Sequence, residues 1–161
     1  MQPENVWLTN QPDAPNNPRL PVRLYRAVVP PGEPAAAEAL FARNGWPPAW
    51  RDGIFPYVHF HTTAHEALAI VRGRVTVRLG GEAGQDFTLE AGDVAMLPAG
   101  TGHQRLEASE DLLVVGAYPI GQKPDQQRAM VGQAAELRAR IARLPDPPGC
   151  PVTGEAVPRR P

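Results

Sequence analysis

Gly53-Ile-Phe-Pro-Tyr-Val-His-Phe-His61 is the stretch on which the reading of this chain turns. Its apolar, aromatic run reads as a β-strand, and residues two apart in a strand point to one face. His59 and His61 therefore project together, beside Tyr57 and Phe55. Glu66 stands five residues further on, and His103 comes much later, closing Pro98-Ala-Gly-Thr-Gly-His. Three imidazoles and one carboxylate converging on a cavity would make a divalent transition-metal site. A lone His-x-His is a weak signal, because histidines so spaced are more often on the surface or capping a core.

The wider spacing adds to it. Gly53, five residues, His59-x-His61, four residues, Glu66, six residues, Gly73 forms one pattern. Gly92, five residues, Pro98-x-Gly100, two residues, His103 forms a second. Together they resemble the two cupin motifs, in the order and separation of that family. One position departs: Glu107 stands where the second motif usually has Asn. That position ligates no metal in the family, so the site is little affected. The strings HFHTTAHE (59–66), LPAGTGH (97–103) and VGAYPIGQ (115–122) are further similar to small single-domain bacterial cupins of the YjlB-like type.

The resemblance implies an all-β fold with peripheral helices: a cupin jelly-roll (double-stranded β-helix) barrel, with one helix before it and one after. It also implies a metal held by His59, His61, Glu66 and His103. His65 and Glu66 are adjacent, so on a strand only one of them can enter the barrel. The family spacing selects Glu66, which leaves His65 facing outward as a possible support of the ligands. Three nitrogens and one oxygen leave open positions on an octahedral ion. Such a set suits Fe, Mn, Ni or Zn, and sequence does not choose among them. The resemblance speaks more firmly for a fold and a metal than for a reaction.

Composition sets the outer bounds. The chain has 161 residues, 42% hydrophobic and 20% charged, in the ordinary range of a globular domain with a real core. A net charge of −1 without a basic block gives no footing for nucleic acid. Twenty prolines argue for short strands and loops. The single cysteine, Cys150, excludes an intrachain disulfide and fits a reducing cytoplasm. No apolar run approaches the ~20 residues of a membrane span, and the polar first ten residues do not read as a signal peptide.

The expected organisation is one domain in three parts: residues 1–52 as an arm, strand and short helix packing on the barrel, 53–118 as the barrel core, and 119–161 as a helix and Pro-rich tail. Within the first part, Val6–Thr9 reads as a short strand. Residues 19–29 read as another, with Val22, Leu24 and Ala27 on one face. Pro34–Arg43 reads as a helix ended by Asn44-Gly45, and Trp46–Trp50 as a stiff turn. From 54 to 118 the pattern is β throughout, hinged at Gly73. Met130, Ala134, Leu137, Ile141 and Leu144 make one apolar stripe of a helix, with Glu136 and Arg140 an i,i+4 pair on it. It would pack outside the barrel or mediate a dimer. The tail from Pro145 would lie extended over the surface or over a partner subunit.

Other candidates follow from alternation. Tyr57 shares the face of His59 and is either a hydrogen-bond donor to substrate or a wall aromatic. Arg105 is two past His103 and would point inward, where a guanidinium would need an anionic group. A bulge after the Pro98–Gly102 loop would reverse that facing. Trp46 and Trp50 would roof the mouth or cap the barrel. The functions to be weighed are a metal-dependent enzyme, of oxygenase or isomerase type, on a small polar or carboxylate-bearing substrate, and a non-catalytic metal-containing binding or sensing protein. The sheet edges of such a barrel also lead us to expect a homodimer.

Overall fold

The computed structural model describes residues 2–161. In chain order the elements are β1 (Glu4–Val6), β2 (Val22–Tyr25), α1 (Pro34–Arg43), β3 (Pro48–Asp52), β4 (Glu66–Arg72), β5 (Arg74–Leu79), β6 (Gln85–Glu90), β7 (Val94–Leu97), β8 (His103–Ala108), β9 (Leu113–Ala117) and α2 (Ala134–Arg143). The strands form a six-stranded sheet in the order β1-β2-β7-β4-β9-β3 and a three-stranded sheet in the order β6-β5-β8. Every pairing in both is antiparallel. This is the jelly-roll barrel with peripheral helices that the resemblance implied.

Alternation along β4 shows how the layers are made. Leu68 and Ile70 face inward and join Val22, Leu24, Val75, Val77, Leu79, Leu89, Leu97 and Val114 in the core between the sheets. Ala67, Ala69 and Val71 face the other way. Small residues there let α1 approach closely, and Ala37 and Phe41 pack against them with Tyr25, Trp46 and Met96. Each large apolar side chain so buried contributes roughly 1.5–3 kcal/mol. Pro34 in the first turn and Asn44 at the C-cap bound α1 as its sequence predicts. Gly73 joins β4 to β5 at φ +76°, and a Cβ there would lie 2.3 Å from Ser109 Oγ, so only glycine fits the hinge.

The structure corrects several local expectations. The 53–61 stretch is not a continuous strand: Pro56 supplies no N–H, and only His59 and Phe60 make isolated bridges, to His103 and Gln127. Alternation nevertheless holds at its end. Phe60 turns away from the two histidines into a satellite core of Ala14, Met130 and Leu137. Trp46–Trp50 is not merely a turn, because Pro48–Asp52 forms an edge strand on β9, the place where a sheet tolerates proline. The first strand is Glu4–Val6 rather than Val6–Thr9. Ala27 is exposed at φ +53°, past the end of β2.

The C-terminal parts are built in more firmly than their composition suggested. Leu137 and Ile141 of α2 are buried, and Arg140 Nη2 meets Glu136 Oε1 at 3.2 Å. The tail docks on the outer face of the large sheet. Cys150 is buried there with its Sγ 2.6 Å from Tyr25 Oη, and Trp46 Nε1 donates to the Gly149 carbonyl at 3.0 Å. Trp46 is thereby a core residue on the side away from the barrel interior, not a roof. Among the described residues no helix is long and apolar enough to cross a membrane.

Candidate metal centre

Three elements bring the four ligand candidates together. His59 and His61 come from the segment that bridges β8, His103 opens β8, and Glu66 opens β4 on the same face as Leu68. The backbone locks the first and last of these: His59 N donates to the His103 carbonyl at 3.1 Å, and His103 N to the His59 carbonyl at 3.0 Å. His59, His61 and His103 each offer a ring nitrogen, all within 4.8 Å of one another. Glu66 falls outside that mutual distance. Its Oε1 is nonetheless 3.2 Å from His103 Nε2 and 3.5 Å from His61 Nε2.

The hydrogen bonds on the far side of each ring fix its tautomer. His59 Nδ1 lies 3.0 Å from the Tyr57 carbonyl, His61 Nδ1 2.5 Å from the Asp125 carbonyl, and His103 Nδ1 2.9 Å from the Thr101 carbonyl. A carbonyl can only accept, so each Nδ1 carries a proton, and a ring that is neutral presents a bare Nε2. Oε1 of Glu66 faces two of these nitrogens, and while the rings are neutral it finds no proton there. It is buried and has no hydrogen-bond partner. A buried carboxylate oxygen among lone pairs is costly unless a cation or a proton joins it. The residues present therefore fit a divalent ion.

Electrostatics express the same conflict. Burial, with His103 beside it, pushes His59 down to about 3, so it stays neutral. Burial opposes charging of His61, but neighbouring Glu66 outweighs it and holds the imidazole above its ordinary range. Burial would raise Glu66, yet His103 and His61 hold the carboxyl far below the usual range. A proton shared between His61 and Glu66 is what the metal-free cluster can offer in place of an ion.

A cavity of about 430 Å³ opens beside this cluster, with Arg105, Tyr118, Trp50 and Gln126 among its lining residues. Arg105 lines it because the bulge in β8 comes later. Val77 pairs with Arg105 and Thr76 with Glu107, so the extra residue is Leu106. Among the described residues no ion pair or hydrogen bond engages the Arg105 guanidinium, and Glu107 and Asp111 do not meet it. Tyr57 is not among the lining residues. Its ring stacks on Phe55 at 5.1 Å beneath the Arg128 guanidinium, 3.6 Å from the ring centre. Trp50 lines the cavity, unlike Trp46.

His65 is fully buried and has both nitrogens engaged away from the cluster. Ala99 N donates to its Nδ1 at 2.9 Å, and its Nε2 donates to the Pro145 carbonyl at 2.9 Å. It ties the loop before His103 to the tail, and burial lowers it to about 4.

Sequence reading missed two features. Tyr118 follows β9, and the β4–β9 register that pairs Ala67 with Ala117 sets it opposite Glu66 when continued by one residue. Knowing that pairing would have found it; the single sequence does not contain it. Asp125, in an irregular segment, accepts from Thr62 N at 2.6 Å, from the Thr62 hydroxyl, from Thr63 N at 3.2 Å and from Gln127 Nε2 at 3.1 Å. It braces the turn after His61 while its carbonyl holds that imidazole. Gln104 Oε1, on the other side of β8, is also buried without a partner, and nothing in the structure accounts for it.

Residues 51–115 match the Cupin domain family. Over 144 residues the chain is 33% identical to the Bacillus subtilis (strain 168) protein described as "Uncharacterized protein YjlB", covering 89% of this chain and 86% of that one. A DUF861 family protein from Thermotoga maritima is similar at 22% identity and TM-score 0.37, over 59% of this chain and 96% of its own. Oxalate decarboxylase from Lactobacillus farciminis, solved as a formate complex, is similar at 18% identity and TM-score 0.41, over 77% of this chain. This chain spans only 39% of that longer protein.

Proposed function

The chain belongs to the cupins, among the small bacterial relatives of YjlB, and from that membership we propose that it is a metal-dependent enzyme acting on a small carboxylate-bearing substrate. His59, His61, Glu66 and His103 would hold one divalent ion of the Fe, Mn, Ni or Zn kind. The observation that carries this reading is the coincidence of three carbonyl-locked imidazoles with a buried carboxylate oxygen, Oε1 of Glu66, that has no hydrogen-bond partner. When bound, such an ion supplies Lewis-acid or dioxygen chemistry at its open positions.

The protein's own groups then bind and orient. Arg105 has a guanidinium that cannot shed its charge and meets no carboxylate, which suits it to an anionic substrate group. Gln126 and Tyr118 add neutral hydrogen-bonding capacity, and Ile54, Phe55 and Leu68 supply an apolar wall. A cavity with several polar groups beyond the ligand set supports turnover over mere retention of a ligand. Oxygenation and isomerisation are the reaction types we assign. The same reading has the protein acting in the cytoplasm as a homodimer that covers exposed edges such as β3. The test is a screen of small carboxylic, hydroxy and keto acids against protein purified without a metal-affinity tag and reloaded with its own metal. Turnover that depends on the metal and is lost in Arg105→Met supports the proposal. Metal-independent turnover, or turnover indifferent to Arg105, contradicts it.

A further inference from the structure

Tyr118 has a hydrogen-bonding constraint that its neighbours impose. The Trp50 indole lies over Gly116, where a Cβ would come within 2.0 Å of the indole Cε2, so the absence of a side chain at 116 admits the ring. From there Trp50 Nε1 reaches Tyr118 Oη at 2.9 Å. An indole N–H is a donor and never an acceptor. The phenolic oxygen is therefore the acceptor in that contact, and its own proton must be given elsewhere. The Tyr118 ring stands edge-on to His61, with centroids 6.1 Å apart and planes at 85°. The β4–β9 register, continued by one residue, sets it opposite Glu66, and it lines the cavity.

We infer that Tyr118 is a substrate-contacting residue whose phenol donates a hydrogen bond to an oxygen of a carboxylate or carbonyl ligand held beside the metal. The inference rests on the metal reading above. Glu66, which stands against the Tyr118 phenol, is the competing acceptor in the metal-free protein. Once that carboxylate shares its charge with a divalent ion it is a weaker acceptor, and an anionic oxygen at an open position competes for the phenol. With Trp50 fixing the oxygen from behind, Tyr118 favours ligands that bring an acceptor to the metal over ligands that bring none. Substrates of this site are thus oxygen donors, carboxylates or carbonyl compounds, rather than amines or azoles.

The test uses the full chain loaded with cobalt(II), whose visible absorption reports ligand binding. Acetate and imidazole are titrated in turn, the first carrying an acceptor oxygen and the second none. Tyr118→Phe is expected to weaken acetate at least about tenfold, because a hydrogen bond to a charged group is lost. Imidazole affinity should stay within about twofold, and cobalt stoichiometry should not change. Trp50→Phe keeps the phenol and should weaken acetate less than Tyr118→Phe does. Equal losses for both ligands, no loss for acetate, or a Trp50→Phe loss as large as that of Tyr118→Phe would overturn the inference. So would a lowered cobalt affinity with unchanged acetate binding, which would make Tyr118 a support of Glu66 only. Failure of the parent protein to bind cobalt would instead remove the metal reading, and this inference with it.

Discussion

Replacing Asp125 with alanine should both loosen the metal site and weaken the fold, although Asp125 is no ligand candidate. Its carboxylate accepts from two backbone N–H groups, two threonine hydroxyls and the Gln127 amide, and Arg140 Nη1 stands 3.4 Å away. Burial raises its pKa, but the Thr62 and Gln127 donors outweigh that and hold it at about 2. A depressed carboxyl stabilises the fold above its unfolded value and loses that contribution as pH falls through the folded one. The window here is roughly pH 4 down to 2. The shift is worth on the order of 1–2 kcal/mol once screening of a carboxylate 21% exposed is allowed for. Alanine also strands the Thr62 amide and hydroxyl, so the expected loss near neutral pH is about 2–4 kcal/mol. Alanine keeps the backbone carbonyl that holds His61 Nδ1 but removes the side-chain bonds that fix its position, so metal affinity should fall about 10- to 100-fold. Asparagine, which keeps one acceptor oxygen, should lose less of both. Urea unfolding of metal-free protein and a chelator competition measure the two effects. An Asp125→Ala protein with parental urea midpoint and parental metal affinity would refute the reasoning.

Other expectations follow from the same contacts. His65→Ala should lower stability by about 2–3 kcal/mol through two lost buried hydrogen bonds, yet still bind one metal per chain. Because burial lowers His65 to about 4, the parent's stability should decline as pH falls from about 6.5 toward 4, and unfolding of His65→Ala should show a flatter decline there. Arg105→Met should weaken binding of a small dicarboxylate to the metal-loaded protein about tenfold or more, as read by calorimetry, with metal content unchanged. Light scattering at micromolar concentration should give twice the chain mass of 17.4 kDa, and the single-chain mass would exclude the dimer.

The parts legible in the sequence are those that local pattern determines. The β pattern hinged at Gly73 marked the strands that the structure sets at Glu66–Arg72 and Arg74–Leu79, and helix chemistry bounded Pro34–Arg43. Motif spacing, with strand alternation, led to His59, His61, Glu66 and His103, which the structure brings to one cavity. Arg105 was placed by counting from His103, and the bulge that threatened the count lies one residue later. What escaped depends on distant partners. Tyr118 needs the β4–β9 register, Asp125 needs the path of an irregular loop, and Trp46 is turned outward by the Gly149 carbonyl of the tail. Pro47 and Pro48 obscured β3, since proline argues against a strand unless the edge is known.

The most direct test of the metal centre is elemental analysis of protein purified without a metal-affinity tag, alongside His61→Ala and His103→Ala. About one divalent transition-metal ion per chain is expected in the parent, with a large loss of it in both variants, each still folded by circular dichroism. Parental metal content in both folded variants, or a parent that takes up no divalent metal when it is supplied, would contradict the metal reading.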